Sequence, residues 1–530
     1  MKRFPAYLLF FALYPALALW AQNIQEIGFP PVIRALAASL FLCLLLLLLV
    51  WLFIRDSEKA GLIAVIALII FFSYGHLYES ARGWSFELAR HRYLLPLLAV
   101  LSVAWVVFVV RLQQTKRFTE FFTLFSLVLL VMPLYTISSY QLKAYASQQR
   151  QAPEVTLHET EGNRPDIYYI IVDGYGRQDT LQQYYGYDNS VFIEYLESKG
   201  FYVAKESTSN YRKTILSLTS SLNMDYIQEL FPNLDPKSKD YTPLFEELRH
   251  SAVREVLAGN GYRMVTVDNS IKTAVTDAEV VLAPDAADLA ERVDLNEAGL
   301  GLNLNSFEGL FVETSLAKLW VDWQVRQGKS DVLNIVAVEA PYNRHRNYIL
   351  FGLNSIAETA ELEGDNFVFI HIIAPHPPFV FGPEGEQIKH NRLFTIADGP
   401  YSQGSREEYI TGYTGQVAFL NRQLMSAIDS LLAQSETPPI IILQGDHGPK
   451  GFSDDNVETS DYTENFAILN AYYFPDGDYS GLYPSISPVN SFRVVLSRYF
   501  GTDYPMLEDL SYFSDVVRPF DFLHVTGQIK

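Results

Sequence analysis

Six residues would make a reactive centre if the fold brought them together. They are Asp173 in IIVDGYG, Thr214 in SNYRKTILSLTSSLN, His371 in NFVFIHII, His376 in APHPPF, and Asp446 and His447 in QGDHG. Two carboxylates, a neutral imidazole and a hydroxyl oxygen suit zinc or manganese as the shell of a single divalent ion. A metal on the Thr214 oxygen would lower its pKa and make it a nucleophile at neutral pH. Thr214 also stands where apolar residues begin to recur at Ile215, Leu218 and Leu222, the mark of a helix start. Free backbone N–H groups and the positive end of the dipole there favour a tetrahedral anion. Additional histidines could bind non-bridging oxygens or protonate a leaving group. The chemistry that uses all of this is phosphoryl or sulfuryl transfer. Each residue alone has a plainer explanation: an Asp-Gly turn, a threonine N-cap, a core histidine, a loop histidine between prolines. Only the set carries the chemistry.

Elements able to position such a set follow from Asp166 onward. DIYYIIV, YRMVTV, NFVFIHII, PPIIILQ and FAILNAYYF read as buried strands. FIEYLESKG, PLFEELRHSAVREVLAGNGY and the stretch from Tyr413 to Leu432 read as amphipathic helices. Strands alternating with helices predict an α/β/α sandwich on a mainly parallel sheet, with ligands at the carboxyl ends of the strands. Four of the chemical positions fall at or just after predicted strand ends.

The first 150 residues are of another kind. Five apolar stretches approach the roughly 20 residues needed to cross a membrane: Pro5 to Ala21, Val32 to Ile54, Gly61 to Tyr78, Tyr93 to Leu112, and Phe121 to Tyr140. The first of these also fits a secretory signal, with Lys2 and Arg3 ahead of it. An N-terminus inside leaves a weak excess of Lys and Arg on the inner segments, and an odd span count then places the remainder outside the cytoplasm. The expected organisation is a membrane domain over 1–140, a polar linker over 141–165, and an extracytoplasmic catalytic domain over 166–530. Charge divides the same way. The 530-residue chain carries a net −20, with 13 basic and 6 acidic side chains in residues 1–150. The remainder is strongly acidic, which argues against nucleic acid as a partner. The single cysteine, Cys43, lies in an apolar run, so intramolecular disulfides and cysteine metal sites are excluded.

The motifs VDGYG, SNYxxT, HxxxxHPPF and QGDHG resemble the sulfatase-like branch of the alkaline phosphatase superfamily. The plan of five spans followed by an extracytoplasmic α/β domain is similar to lipoteichoic acid synthases and lipid A phosphoethanolamine transferases. The resemblance implies that Asp173, Thr214, Asp446 and His447 bind one catalytic metal, with Thr214 the nucleophile. It places the paired substrate histidines on His371 and His376, and Asn210 beside them as substrate-binding. It further implies a multi-pass protein of a bacterial inner membrane that moves phosphoethanolamine or phosphoglycerol from a phospholipid donor to a glycan or glycolipid acceptor. Two departures bear on the transferred group: Asp173 stands where those two relatives carry Glu, and HPPF replaces a transferase-like HGP. No C/S-x-P-x-R motif surrounds Thr214, which disfavours a formylglycine sulfatase. A phosphate- or sulfate-ester hydrolase and a non-catalytic envelope scaffold are the alternative readings.

Overall fold

The structure is a computed structural model. It describes residues 4–24, 29–84, 90–147, 164–271, 275, 277–284, 306–319, 339–390, 394–399, 404–453 and 456–530. Two compact units divide the chain: Met1–Gln148 with Arg292–Pro341, and Gln149–Glu291 with Tyr342–Lys530.

The first unit is helical: α1 Tyr7–Gln22, α2 Ile33–Ile54, α3 Ser57–Trp84, α4 His91–Arg111 and α5 Lys116–Ser147. Four stretches, Pro30–Ile54, Ser57–Tyr78, His91–Arg111 and Lys116–Leu142, are long and apolar enough to cross a membrane, and Tyr7–Gln22 is a shorter apolar helix. Helices suit this setting because each satisfies its own backbone where water is absent. Large side chains such as Phe53, Val100 and Met132 are exposed on them, as expected of surfaces that face hydrocarbon rather than water. α5 continues to Ser147, into the stretch read from sequence as linker; residues 148–163 of that stretch lie outside the described residues.

A later segment also joins this unit, without a signal in the apolar pattern. The helix Ser306–Glu313 packs Phe307 and Phe311 beside Ala16, Leu19 and Trp20 of α1, Ala35 of α2, and Ile137 and Tyr140 of α5. Arg34 donates to both carboxylate oxygens of Glu308, at 2.7 and 2.6 Å, a bidentate ion pair. These residues lie toward the C-terminal ends of α1 and α5 and the N-terminal end of α2, so one end of the bundle receives the segment.

The second unit is built on a seven-stranded sheet. Its strands are β1 Ile167–Val172, β2 Tyr202–Val203, β3 Arg263–Val267, β4 Val280–Leu282, β5 Asn366–Ile372, β6 Ile440–Gln444 and β7 Asn470–Tyr473. They lie in the order β2-β7-β6-β1-β5-β3-β4. β7 runs antiparallel to both its neighbours, and the other pairings are parallel. All five strands expected from sequence are in this sheet. β1, β5 and β6 are buried along their whole length, which is why they read as continuous apolar runs rather than alternating ones. Register decides the rest. Ile171 of β1 stands level with His371 of β5 and Gln444 of β6, so three carboxyl ends converge on one edge.

Two helix expectations needed revision. The stretch 243–262 forms two helices, Thr242–Arg249 and Ala252–Gly259, because Ser251 caps the second by accepting from the Arg254 N–H. The helix expected from Tyr413 begins earlier, at Arg406, where Ser405 and Glu408 form a capping box.

Candidate metal and phosphoryl-transfer site

Asp173 follows β1 directly, and Gly174 after it adopts φ +73°. A Cβ at Gly174 would stand 3.7 Å from the His376 backbone and from His447 Cε1, besides being strained at that φ. Asp446 and His447 follow β6, where Gly448 passes so close to the Glu464 carbonyl that a Cβ would lie 2.0 Å from it. Gly445 of QGDHG lets this loop approach the VDGYG loop over the sheet edge, since a Cβ there would lie 2.5 Å from the Tyr175 carbonyl oxygen. The Gly174 N–H donates to Asp446 Oδ1 at 3.0 Å and joins them.

The remaining carboxylate oxygens are the decisive feature. Asp173 Oδ1 and Asp446 Oδ2 are buried and have no hydrogen-bond partner among the described residues. They lie 3.4 and 3.6 Å from His447 Nε2. Thr214 Oγ1 lies 3.4 Å from the same nitrogen. The His447 Nδ1–H donates to the Gly448 carbonyl at 2.8 Å, which leaves the Nε2 lone pair aimed at the carboxylates. Unpaired carboxylate oxygens in a dry pocket are costly; a divalent cation among these four atoms would remove that cost. Ligand atoms of Asp173, His376 and His447 lie within 4.8 Å of one another, as do those of Asp173, His371 and Asp446. The donor set fits a metal of the zinc or manganese class.

Thr214 opens the helix Thr214–Asn223 with Lys213 as N-cap, as the apolar spacing predicts. Its neighbours' hydroxyls are committed elsewhere. Ser217 donates to the Asp446 carbonyl at 2.7 Å, Thr219 to Leu244, Ser220 to Asp225, and Ser221 contacts Tyr169 at 2.6 Å. Only Thr214, among the hydroxyls of this helix, faces the His447 ring.

The two expected substrate histidines separate in role. His371 sits on β5, and its Nε2 is 3.1 Å from Asp173 Oδ2. The Asn269 amide donates to His371 Nδ1 at 3.2 Å, with its own oxygen fixed by the Ile271 N–H. Both ring nitrogens are therefore engaged, with the proton on Nε2 toward Asp173. His376 donates from Nδ1 to the Pro377 carbonyl at 2.6 Å, leaving Nε2 available 3.6 Å from Asp398 Oδ2. Asn210 lies deeper. Fully buried, it donates to Ser487 Oγ at 3.0 Å and the Leu510 carbonyl at 2.9 Å and accepts from the Val489 N–H at 2.9 Å. These bonds tie its amide to the chain after β7.

Three residues at the site escaped the sequence reading. Lys450 Nζ stands 3.1 Å from Asp398 Oδ2 and 3.4 Å from His447 Nε2. Asp398 Oδ1 accepts from the Tyr409 hydroxyl at 2.9 Å and the Gly399 N–H at 2.7 Å. Burial pushes the Asp398 carboxyl up, but the Lys450 ammonium, with His376 and His447, outweighs it and holds the group below the usual carboxylate range. Asp173 behaves alike: burial raises it, and His376, the His371 hydrogen bond and His447 together lower it further. His345, on the helix Ala340–Glu358, is buried with no partner for Nε2 among the described residues; burial, then His376, pushes its pKa down to about 3, so it is neutral. Asp398 sits in an ordinary Asp-Gly turn and Lys450 three residues past the Asp-His pair, so neither stands out without the third dimension.

No protein-family model and no curated protein matches the sequence. Solved structures do. The C-terminal periplasmic domain of EcEptC from Escherichia coli is 11% identical over 70% of this chain and 95% of that one, with TM-score 0.40. The integral membrane lipooligosaccharide phosphoethanolamine transferase A from Neisseria meningitidis is 12% identical over 93% of this chain and 95% of its own, with TM-score 0.35. A phosphonate monoester hydrolase of Agrobacterium radiobacter is 11% identical over 66% of this chain and 80% of that one, with TM-score 0.39. At these values the likeness concerns the course of the backbone and assigns no role to any residue here.

Proposed function

We propose that this multi-pass protein is a metal-dependent transferase that moves a phosphoryl-linked group, phosphoethanolamine or phosphoglycerol, from a phospholipid to a glycan or glycolipid of the cell envelope. The observation that carries the reading is the pair of orphaned, buried oxygens of Asp173 and Asp446, set around His447 beside the one uncommitted hydroxyl of its helix. Asp173, Asp446 and His447, with the Thr214 oxygen, would hold one divalent ion. When bound, that ion supplies Lewis acidity, making the hydroxyl a better nucleophile and countering charge on phosphorus-bound oxygens.

The chain's own residues do the rest. Thr214 Oγ1 forms a bond to phosphorus as the bond from phosphorus to the glycerol oxygen breaks; diacylglycerol leaves and takes up a proton. The first-turn N–H groups of Thr214, Ile215 and Leu216 have no intrahelical partner and would be donors for the phosphoryl oxygens. Lys450, held by Asp398, adds a fixed positive charge on the same side. His376 Nε2, whose lone pair is free because Nδ1 carries the ring proton, takes the Thr214 proton and passes it to the leaving glycerol oxygen. An acceptor hydroxyl then displaces Thr214 and restores its proton. His371 and Asn269 hold the Asp173 carboxylate in place.

The membrane helices keep this centre where lipid headgroups are concentrated. We place the protein in a bacterial inner membrane with residues 166–530 outside the cytoplasm, following the span count and the Lys/Arg bias. A hydrolase would use the same residues with water as acceptor. The test is full-length protein incubated with headgroup-labelled phospholipid and an envelope glycolipid. Transfer of label with stoichiometric diacylglycerol supports the reading; release of free headgroup phosphate alone supports the hydrolase; neither product, from protein carrying its metal, refutes both.

A further inference from the structure

A cavity of about 300 Å³ opens in the membrane unit between α1, α3 and α5. One end is lined by Phe11, Leu68 and Phe125, and the other carries Gln22, His76 and Thr314. From Phe11 to Gln22 on α1 is eleven residues, about 16 Å of helix rise. That is half of a hydrocarbon core about 30 Å thick, so the groove is one leaflet deep. Phe125, at the apolar end, is 42% exposed, so the groove opens toward the surroundings of the bundle. Polarity therefore changes along its axis as it does along a lipid.

The polar mouth is fixed by backbone. The Gly75 N–H of α3 donates to the Thr314 carbonyl at 3.0 Å, and the Leu316 N–H donates to the carbonyl of Phe71, four residues before Gly75, at 2.6 Å. Residues 314–316 are thereby pinned to a membrane helix where lost hydrogen bonds have little water to replace them. The Arg34–Glu308 pair secures the same segment one helix earlier. The rim thus belongs to a stretch of chain that interrupts the catalytic sequence, between β4 and β5.

We infer that this groove holds one acyl chain of a phospholipid from the leaflet at the Ser306–Glu313 end of the bundle, with the headgroup at Gln22, His76 and Thr314. A helix of a partner protein, about 10 Å across, is too wide for a cavity of about 300 Å³ that is one leaflet long. An acyl chain is thin enough, matches the depth, and carries its polar group at the correct end. Gln22 and His76 offer an amide and an imidazole N–H to a phosphodiester. That the bound lipid is the donor rests on the transferase reading above; that the groove takes a phospholipid chain does not.

Full-length protein in nanodiscs containing phosphatidylethanolamine with a photoactivatable acyl chain tests this. Cross-links should concentrate on α1, α3 and α5 residues lining the groove. Ala18→Phe, which fills the groove, should lower them about tenfold, the loss of roughly two buried methylenes, and Ala18→Val should lower them less. The same variants should reduce the kcat/KM preference for long-chain over dihexanoyl donor by a similar factor, with metal content unchanged as the sign of a folded protein. Cross-links spread evenly over every lipid-facing helix and indifferent to Ala18→Phe would overturn the groove. Groove cross-links lost in Ala18→Phe with no change in donor preference would overturn its assignment to the donor. Groove cross-links in a wild type that transfers from neither donor would leave the lipid site standing and refute the transferase.

Discussion

Buried carboxylates of two kinds sit in the second unit, and they are treated in opposite ways. Glu464, fully buried, receives the Phe452 N–H on both oxygens at 3.0 Å, Ser453 Oγ at 3.1 Å, and the Tyr185 hydroxyl. Burial nevertheless pushes its pKa up to about 8, against those hydrogen bonds. It is a neutral brace for the loop that carries His447 and Lys450. Asp173 and Asp446 are as deeply buried, yet each keeps one oxygen with no donor among the described residues. Donors fill the space around the structural acid; the site acids are left facing an imidazole lone pair and a hydroxyl. Burial alone therefore does not mark a functional acid. Unmet acceptor capacity, converging from separate loops, does.

That contrast can be broken by mutation. The largest effect is expected at Thr214. Thr214→Ala should lower transfer by on the order of 10⁴-fold or more, as removal of a nucleophile does, while retaining much of the metal. Thr214→Ser should recover part of the rate. Label transfer and elemental analysis on the same preparations read both.

Next comes the metal. Asp446→Asn keeps the shape and the oxygen that accepts from Gly174 but removes the charge. Affinity for zinc should fall by about 100-fold or more, since outer-shell changes alone reach that scale and here a direct ligand is lost, as measured by competition with a chelator. Glu464→Gln, an equally conservative change at an equally buried acid, should leave that affinity alone. Equal losses in the two variants would erase the distinction between them.

Lys450 sharpens the picture on the substrate side. Lys450→Ala should lower kcat by about 100-fold, the usual scale for one electrostatic contact to developing charge, with metal retained, and Lys450→Arg should restore part of it. A variant that loses its metal would place Lys450 among the supports of the metal instead.

The smallest effect is in stability. Because Glu464 titrates near 8 in the folded state and near about 4.3 when unfolded, the folded state binds the extra proton between those values. Its contribution is complete below the unfolded value and is lost as pH rises through about 8. The melting temperature of the wild type should therefore fall more steeply from pH 7 to 9 than that of Glu464→Gln, by differential scanning fluorimetry.

Much of this was legible in sequence because the central strands are buried on both faces and so appear as unbroken apolar runs. β1 runs into Asp173-Gly174, and β6, one glycine on, into Asp446-His447, which puts both pairs at the sheet edge. What the sequence hid is what tertiary contact alone creates. Asp398 and Lys450 come from separate loops and meet through His376 and His447. His345 faces the site from a helix with no motif of its own. The bonds that tie the Asn210 amide to the chain after β7 likewise leave no trace in the motif SNYxxT. The helix Ser306–Glu313 joins the membrane unit through two phenylalanines and one ion pair, too sparse a pattern to stand out in a chain with 35 phenylalanines.

The central claim is that Thr214 takes up the transferred group at a metal held by Asp173, Asp446 and His447. Intact-protein mass spectrometry of the full-length chain, loaded with zinc and exposed to phospholipid without acceptor, tests it most directly. The account predicts a single adduct of headgroup-phosphate mass, mapped by fragmentation to Thr214 and discharged when acceptor is added. Turnover with no adduct under any quench, or an adduct mapped to Ser217 or another hydroxyl, would contradict it.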